Sequence, residues 1–133
     1  MCKPASDIIS PGGMTNQEAR FGGIQRLYGV AGAARLRQAH VCVIGIGGVG
    51  SWAVEALARS GVGTLTFVDL DDVCISNVNR QLHAVTGEFG QPKVEVMAAR
   101  VKLINPDGAV HAKQMLFTAA TGESILGAQF DCV

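Results

Sequence analysis

The sequence predicts an α/β protein with a doubly wound, mostly parallel sheet and helices on both of its faces. Apolar, β-branched runs alternate with helical patterns along the chain, and a glycine-rich turn joins the first run to the first strongly periodic helix. Such runs are typical of parallel strands that are buried on both faces and linked by crossover helices. A chain of 133 residues, 48% of them hydrophobic, suits one domain around one core.

The first half of the chain predicts a helical lead-in and one strand–helix–strand unit. Residues 1–17 are rich in Pro, Gly and Ser and predict a flexible tail, which leaves 18–133 as the ordered domain. One or two short helices are expected before a strand over 40–46, and a second strand covers 64–70. The helix between these strands should stop at Gly61. Its predicted apolar face comprises Val49, Trp52, Ala53, Ala56, Leu57 and Ser60, with Glu55 and Arg59 as an i,i+4 pair on another face.

The second half continues the alternation after a long polar loop over 71–91. A loop of this length in a compact domain indicates a functional segment. The elements expected after it are a helix from Pro92 to Asn105 with Val94, Met97, Ala98 and Val101 on its apolar face, a strand near 109–116, a short helix over 122–128 and the opening of a fourth strand at 130–133. That fourth strand should lie beside the first, and no covering element follows it, so we expect this chain to be part of a longer domain.

Charge and cysteine usage exclude several classes of protein. Eleven basic and eleven acidic residues balance, so no overall field attracts the chain to RNA or to an anionic membrane, and any RNA contact has to be local. The four cysteines form no C-x-x-C pair, which favours free thiols and a reducing, cytoplasmic setting. The first residues match neither a signal peptide nor a transit peptide, and no apolar run is long enough to span a membrane.

The turn after the first predicted strand has the spacing of a phosphate-binding loop. Gly45, Gly47 and Gly50 satisfy G-x-G-x-x-G, and Gly48 adds a fourth glycine. The first pair permits a tight turn and a close approach of pyrophosphate to the backbone, while Gly50 permits the helix to pack against the sheet. Free N–H groups at the N-terminus of the helix attract phosphate. The pattern therefore favours nucleotide binding over a purely structural turn.

Asp69 is the candidate ribose-binding residue. It ends the second predicted strand, and its carboxylate is able to accept hydrogen bonds from both ribose hydroxyls. The alternative is an aspartate that only caps a turn, a task that Asp71 or Asp72 would also perform. NAD and ATP fit this arrangement equally well.

The loop that follows favours ATP. Asn77, Arg80 and Gln81 come shortly after Asp69, and Lys93 lies in the first turn of the next helix. A triphosphate requires compact positive charge and several donors, whereas nicotinamide requires a flat apolar pocket. For any single one of these side chains, simple solvation at the surface is the alternative.

Three segments, in this combination and order, resemble the ubiquitin-activating-enzyme-like adenylyltransferases, which include the bacterial activators of molybdopterin and thiamine biosynthesis. The segments are "GIGGVGS", "VDLDDVCISNVNRQ" and "GQPKVEVMAARVKLINP". The resemblance covers about residues 20–133 and implies a Rossmann-like domain. Within the family, "RFGGIQRLYG" and "DDVCISNVNRQLHA" are most similar to the tRNA threonylcarbamoyladenosine dehydratase branch.

The resemblance implies a site and a reaction. A substrate carboxylate would attack the α-phosphorus of ATP in the presence of Mg²⁺, and a nucleophile would then displace AMP from the acyl-adenylate. Arg80 and Lys93 would carry the catalysis by stabilising the departing pyrophosphate. The implied ligands are Gly45, Gly47, Gly48 and Gly50 along the nucleotide, Asp69 at the ribose, and Asn77, Arg80, Gln81 and Lys93 at the triphosphate.

The chain departs from the family pattern at two places. Relatives that activate ubiquitin-like proteins carry a second Arg in an N-terminal R-[YF]-x-R-Q segment that reaches a partner subunit's ATP. Here Gly23 stands at that position, and Arg20 and Arg26 are the candidates to replace it. The family's magnesium-binding aspartate would follow the end of this chain, and Asp131 does not take its role. We therefore expect this piece alone to be impaired in catalysis.

The partners implied by the resemblance are tRNA carrying threonylcarbamoyladenosine and, for the full-length protein, a second copy in a homodimer. A sulfur-transfer or carrier protein is a further candidate partner. Three alternatives stay open. The first is adenylation of the C-terminus of a ubiquitin-like or sulfur-carrier protein, which an Arg at position 23 would favour. The others are an NAD-dependent oxidoreductase and a non-catalytic nucleotide-binding module.

Overall fold

The computed structural model describes residues 15–133. The helices in this range are α1 (Asn16–Gln38), α2 (Gly50–Arg59), α3 (Lys93–Ile104) and α4 (Ala119–Leu126), and a 3₁₀ turn spans Ile75–Asn77. The strands are β1 (His40–Ile44), β2 (Thr64–Val68) and β3 (Ala109–Lys113). Helices and strands alternate as the sequence predicts. Most of the predicted tail, 1–17, lies outside the described residues.

Helix α1 begins at Asn16 because Thr15 caps it. The Thr15 side chain accepts a hydrogen bond from the Glu18 N–H, and the Glu18 carboxylate accepts one from the Thr15 N–H at 2.8 Å. Residues 15–17, which the sequence assigns to the tail, therefore belong to the cap and the first turn. Gly29 takes φ +75° and divides α1 into two helical segments, which confirms the expectation of one or two helices before β1.

The three strands form one parallel sheet in the order β1-β2-β3. His40 pairs with Thr64, and Thr64 pairs in turn with Ala109. On the other edge of β1, Val41 forms a parallel bridge with Cys132, so the chain after α4 takes the place expected for a fourth strand. Among the described residues that strand is limited to this bridge. The arrangement confirms the doubly wound α/β class.

Four elements have different limits from those predicted. Strand β2 ends at Val68 rather than 70. Strand β1 ends at Ile44 rather than 46, because Gly45 takes φ +88° and turns the chain. Strand β3 ends at Lys113 rather than near 116, where its pairing with β2 stops. Helix α4 starts at Ala119 rather than 122, because the Thr118 side chain caps it. The changes are shifts of boundaries and leave the order of elements intact.

The main core lies between the sheet and helices α2 and α3. Leu65 and Phe67 of β2 pack on this face together with Val54 of α2 and Met97 of α3. On the opposite face, Ile125 of α4 is fully buried against alternate residues of β1 and β2. Helices therefore cover both faces of the sheet, as a doubly wound fold requires.

The predicted apolar face of α2 is wrong at Val49 and Trp52, although Leu57 packs against the core as predicted. Val49 and Trp52 are 84% and 55% exposed. The residues of this helix that are buried are Ser51, Val54, Glu55 and Ala58. Gly50, at the start of the helix, approaches the carbonyl group of Gly45 so closely that no side chain fits between them.

Glu55 lies on the buried face of α2 because two cations neutralise it. Its carboxylate accepts hydrogen bonds from Arg100 Nε at 2.6 Å and from Arg59 Nε at 2.8 Å. The hydrogen bonds from Arg100, helped by those from Arg59, hold the pKa of Glu55 below its ordinary value. The i,i+4 pair of Glu55 and Arg59 that the sequence predicts is thus present, and Arg100 joins it from α3.

Candidate nucleotide-binding site

The glycine turn connects β1 to α2 at the carboxyl edge of the sheet. Gly45 has φ +88°, a conformation that other residues rarely adopt, and its N–H donates to the Val68 carbonyl at 2.8 Å. A Cβ on Gly50 would overlap the Gly45 carbonyl oxygen and lie 2.9 Å from the carbonyl carbon, so only glycine permits this approach of α2 to β1. At Gly47 a Cβ would meet Gln81 Nε2 at 4.0 Å, an ordinary contact. The space beside Gly47 is therefore open to a ligand.

Asp69 is the first residue after β2, and it ties the glycine turn to the next loop. One carboxylate oxygen accepts the Ile46 N–H at 2.6 Å, and the other accepts the Asp71 N–H at 2.8 Å. A carboxylate oxygen has two lone pairs, so each oxygen keeps an acceptor position after these bonds. Asp69 thus caps the turn, which is the alternative role the sequence offers, and also lines the groove described next.

A groove of about 780 Å³ runs past the glycine turn and along the edge of β1. The side chains and glycines of the predicted site that line it are Gly45, Gly47, Gly48, Gly50, Asp69, Arg80, Gln81 and Lys93. Asn77 is the one predicted site residue that does not line it. Its other part is formed by β1 together with Cys132 and Val133. The fold therefore brings the glycine turn, the end of β2, the long loop and the start of α3 to one groove.

Lys93 lies at the start of α3, with only 6% of its side chain exposed. Its Nζ forms an ion pair with the Asp71 carboxylate at 2.7 Å, and the Asp71 side chain is 70% exposed. The Lys93 N–H also donates to the Asp71 carbonyl at 3.0 Å. The ammonium group is therefore held beside the groove by one anionic partner, and a phosphate that enters the groove would compete with Asp71 for it.

Arg80 covers the glycine turn. A Cβ on Gly48 would lie 3.2 Å from Arg80 Cγ, so the missing side chain lets the arginine stem lie over the backbone. Arg80 Nη1 donates to the Ser76 carbonyl at 3.3 Å and to Asn79 Oδ1 at 3.0 Å. The indole Nε1 of Trp52 donates to the Arg80 carbonyl at 3.0 Å and attaches the loop to α2. Among residues 15–133, Arg80 Nε and Nη2 have no hydrogen-bond partner and are available to an anion.

Asn77 and Gln81 have different tasks in the loop. Asn77 Oδ1 accepts the Cys74 N–H at 3.0 Å and closes the 3₁₀ turn. Gln81 is 6% exposed and lines the groove, and its Oε1 has no partner within the described part of the chain. A buried amide oxygen costs free energy until water or a ligand satisfies it. Of the two amides, Gln81 is therefore the better placed to contact a ligand.

Two buried residues beside the groove are not among the predicted site residues. Ser51 Oγ donates to the Gly47 carbonyl at 2.6 Å and accepts the Leu82 N–H at 3.2 Å, so it joins the glycine turn to the loop. His83 is 2% exposed, and neither ring nitrogen has a partner among residues 15–133. Burial, reinforced by the positive charge of Lys93, lowers the pKa of His83 below its ordinary value. Their only signal in the sequence is a position next to the glycine motif or the polar loop.

Of the two candidates to reach a partner subunit's nucleotide, Arg20 and Arg26, Arg20 is hydrogen-bonded within this chain. Arg20 Nη1 donates to the carbonyls of Leu103 and Ile104 at the end of α3. The Arg26 guanidinium lies along α1 close to Gly22, since a Cβ built on Gly22 would be 3.7 Å from Arg26 Nη1. Neither residue lines the groove.

The described residues offer cations, amides and carboxylate acceptors rather than a metal centre. Among residues 15–133, no group of three His, Cys, Asp or Glu side chains is placed to hold a metal ion.

Three cysteines in this range, Cys42, Cys74 and Cys132, are free. None of the described helices is long and apolar enough to cross a membrane.

The fold and the groove together define a class of protein. A parallel sheet with a glycine-rich strand-to-helix turn, an acidic residue after the second strand and cations at the same edge is typical of a Rossmann-like domain. Residues 23–133 match the model of the ThiF family. The chain belongs to the ThiF family, which confirms the resemblance seen in its sequence.

Similar proteins include a tRNA dehydratase and a sulfur-carrier adenylyltransferase. The tRNA threonylcarbamoyladenosine dehydratase of Haemophilus influenzae is 66% identical over 96 residues, which are 72% of this chain and 37% of that protein. The Escherichia coli sulfur carrier protein ThiS adenylyltransferase is 40% identical over 87 residues, 65% of this chain and 35% of that protein. A crystal structure of the E. coli tRNA N6-threonylcarbamoyladenosine dehydratase in complex with ATP is 46% identical with a TM-score of 0.84, over 85% of this chain and 46% of that chain. This chain thus spans less than half the length of each of the three proteins.

Proposed function

We propose that this chain forms the ATP-binding part of an enzyme that activates a carboxylate by adenylation, and that the reaction is the cyclising dehydration of N6-threonylcarbamoyladenosine in tRNA. The observation that carries the proposal is the convergence of Asp69, Arg80 and Lys93 on the groove beside the glycine turn. An acceptor for ribose and two cations for phosphates then lie where a nucleotide crosses the carboxyl edge of such a sheet. The similarity to a dehydratase crystallised with ATP supports it.

A nicotinamide cofactor fits the groove less well. Nicotinamide requires a flat apolar pocket close to the substrate. Beside the glycine turn, this groove presents the guanidinium of Arg80 and the ammonium of Lys93, and its apolar lining lies along β1 and α2. Two cations at one end of the groove match the charge of a polyphosphate.

Each predicted site residue has a role in this proposal. Gly45 and Gly50 shape the turn, Gly47 leaves room for phosphate, and Gly48 lets the Arg80 stem lie over the backbone beside the nucleotide. Asp69 binds the ribose, Gln81, Arg80 and Lys93 bind the triphosphate, and Asn77 holds the loop in place. The substrate carboxylate is already an anion, so its attack on the α-phosphorus requires no general base. As the bond to pyrophosphate breaks, Arg80 and Lys93 stabilise the negative charge on the leaving group.

Magnesium belongs to the proposal as the counter-ion of the triphosphate. Mg²⁺ is usually held by phosphate oxygens, water and one or two carboxylates rather than by an all-protein cage. The phosphate oxygens of the bound nucleotide would supply part of its ligands.

A tRNA substrate is favoured over a carrier protein by sequence similarity. The H. influenzae dehydratase is 66% identical to this chain, and the E. coli sulfur-carrier adenylyltransferase is 40% identical. The position where carrier-activating relatives have their second Arg is occupied by Gly23. A homodimer of the full-length protein and a cytoplasmic location are parts of the same proposal.

Calorimetric titration of the chain with ATP and Mg²⁺, and separately with NADH, tests nucleotide choice. We expect ATP to bind more tightly, and Arg80→Ala and Lys93→Ala each to weaken ATP binding by about tenfold, as for the loss of one charge-assisted hydrogen bond. Arg35→Ala, on the exposed surface of α1, is the matched control. NADH binding as tight as that of ATP, or variants with unchanged ATP affinity, would contradict the proposal.

Pyrophosphate exchange by the full-length protein tests the substrate. Exchange that depends on tRNA carrying threonylcarbamoyladenosine supports the dehydratase, and exchange that depends on a sulfur-carrier protein supports the alternative substrate. ATP binding with no exchange in either case would indicate a non-catalytic nucleotide-binding module.

A further inference from the structure

A second cationic pocket lies at the opposite edge of the sheet from the glycine turn. The residues that line it are Arg20, Phe21, Arg59, Arg100, Leu103 and Ile104, and its volume is about 420 Å³. Gly50 begins α2 and Arg59 ends it, so this ten-residue helix separates the two sites by about 15 Å. No residue of this arginine pocket lines the nucleotide groove.

Arg20 is fixed at one side of the arginine pocket by neutral partners. Its Nε donates to Asn16 Oδ1 at 3.0 Å, and its Nη1 donates to the carbonyls of Leu103 and Ile104 at 3.4 Å and 3.2 Å. These carbonyls belong to the last turn of α3. The positive charge of Arg20 is therefore oriented, and no carboxylate within residues 15–133 forms an ion pair with it.

Arg59 and Arg100 share one carboxylate. Arg100 binds Glu55 through Nε and Nη2 at 2.6 Å and 2.9 Å, and Arg59 binds it through Nε and Nη2 at 2.8 Å and 2.7 Å. Glu55 is only 7% exposed, so it binds the two guanidinium groups on the side that faces the protein interior. Three arginines and one glutamate leave a local charge of +2 in a chain whose net charge is zero.

Each of the three guanidinium groups keeps one terminal nitrogen that makes no hydrogen bond within residues 15–133. These nitrogens are Arg20 Nη2, Arg59 Nη1 and Arg100 Nη1. Three such donors around one concave surface suit an oxyanion, because guanidinium groups bind phosphate with a fixed, charge-assisted geometry. Leu103, which is 80% exposed, adds an apolar wall next to them.

We propose that the arginine pocket binds a phosphate group of an RNA backbone and is a second contact for the tRNA substrate. This inference rests on the proposed function for the identity of the RNA. A phosphate presents oxygens in several directions to three donors, whereas the carboxylate of an acidic protein presents two in one plane. Phosphate contacts position an RNA without reading its sequence. In a chain with balanced charge, RNA affinity requires a local cationic surface of this type.

The test compares two double variants of the chain that remove the same charge. Arg20→Gln with Arg59→Gln removes two cations from the pocket and keeps the paired contact of Arg100 with Glu55, which protects the fold. Arg35→Gln with Arg37→Gln removes two exposed cations from the last turn of α1 and is the control. Urea unfolding followed by circular dichroism establishes that both variants are folded.

Binding of a labelled anticodon stem-loop RNA is measured by fluorescence anisotropy at several salt concentrations. We expect the pocket variant to bind about tenfold more weakly, and its plot of log affinity against log salt to be shallower by about 0.7–0.9 for each phosphate that the variant no longer neutralises. The control should keep the affinity and salt slope of the wild type. Equal affinities and slopes in the two variants would overturn the proposal.

Two further ligands identify the source of the anion. Inorganic phosphate that displaces the RNA at equal concentration would overturn the assignment to an RNA backbone, and so would a polyglutamate peptide that binds more tightly than the RNA. Titration of the same variants with ATP separates this inference from the proposed function. If RNA binds through the arginine pocket but ATP does not bind, the proposed function is refuted and the RNA contact stands. If ATP binds but RNA binding does not depend on the arginine pocket, the RNA contact is refuted and the proposed function stands.

Discussion

Gly50→Ala and Gly47→Ala should separate the structural and binding roles of the glycine turn. A Cβ on Gly50 meets the carbonyl group of Gly45, which is backbone and cannot rotate away, so α2 has to move from β1. Over-packing of a core costs about 1–3 kcal/mol, and a contact with backbone belongs at the upper end of that range. With a urea m-value of about 2 kcal/mol/M, a loss of about 3 kcal/mol lowers the unfolding midpoint by about 1.5 M.

Gly47→Ala should leave the fold intact and remove nucleotide binding. Its Cβ would meet Gln81 Nε2 at 4.0 Å, so the urea midpoint should stay within about 0.5 M of the wild type. The methyl group would occupy space through which a phosphate approaches the backbone, and ATP affinity should fall more than about tenfold. Circular dichroism in urea and calorimetric titration measure the two effects. A Gly50→Ala protein with wild-type stability would refute the described turn, and a Gly47→Ala protein with wild-type ATP affinity would refute the placement of the phosphates.

Other predictions concern charges near the groove and in the core. Asp71→Asn should tighten ATP binding several-fold without Mg²⁺, because it removes the carboxylate that holds Lys93 Nζ at 2.7 Å and competes with phosphate. An unchanged ATP affinity in calorimetric titration would count against such competition. Hydrogen bonds from Arg100 hold the pKa of Glu55 below its ordinary value of 4.5. The stability that they contribute at neutral pH should therefore be lost as the pH falls below 4.5. In Arg100→Met, the urea midpoint should depend less on pH over this range. Burial lowers the pKa of His83 below its ordinary value of 6.5, so the unfolded chain binds the proton at a higher pH than the folded chain does. Stability should therefore fall as the pH drops below 6.5. A His83→Leu protein with the same pH dependence of stability would contradict this.

The order of elements and the glycine turn are predictable from the sequence because their signals are local. β-Branched runs mark β1 and β2, and Gly61 marks the end of α2. Gly50 is predicted to permit close packing of helix and strand, and its approach to Gly45 is the contact found in the structure. Each of these features depends on residues only a few positions apart.

The buried face of α2 and the role of Asn77 depend on geometry that helical spacing does not contain. Hydropathy places Trp52 inside, yet its indole lies at the surface and holds the Arg80 carbonyl. Asn77 has the residue type of a phosphate ligand, and its Oδ1 also accepts the Cys74 N–H, a contact that the sequence alone does not indicate. A polar side chain in a loop binds its own backbone as readily as a ligand, and only the fold decides between them.

The pairs that join distant segments are the least visible in the sequence. Arg100 and Glu55 are 45 positions apart, and Arg20 and Leu103 are 83 positions apart. Nothing near any one of these residues indicates that they meet. The arginine pocket therefore emerges only when α1, α2 and α3 are packed together, whereas the nucleotide groove is indicated by a motif.

Asp69 combines a structural role and a binding role in one side chain. Its carboxylate holds the Ile46 and Asp71 N–H groups without a nucleotide, so the glycine turn and the following loop are already in place when a ligand arrives. Such preorganisation lowers the ordering cost of binding. An Asp69→Asn change would place an amide NH₂ against one of these N–H groups, and stability and affinity would fall together. For this reason, Arg80 and Lys93 test nucleotide binding more directly than Asp69, although Asp69 is the residue that the sequence marks most clearly after the glycines.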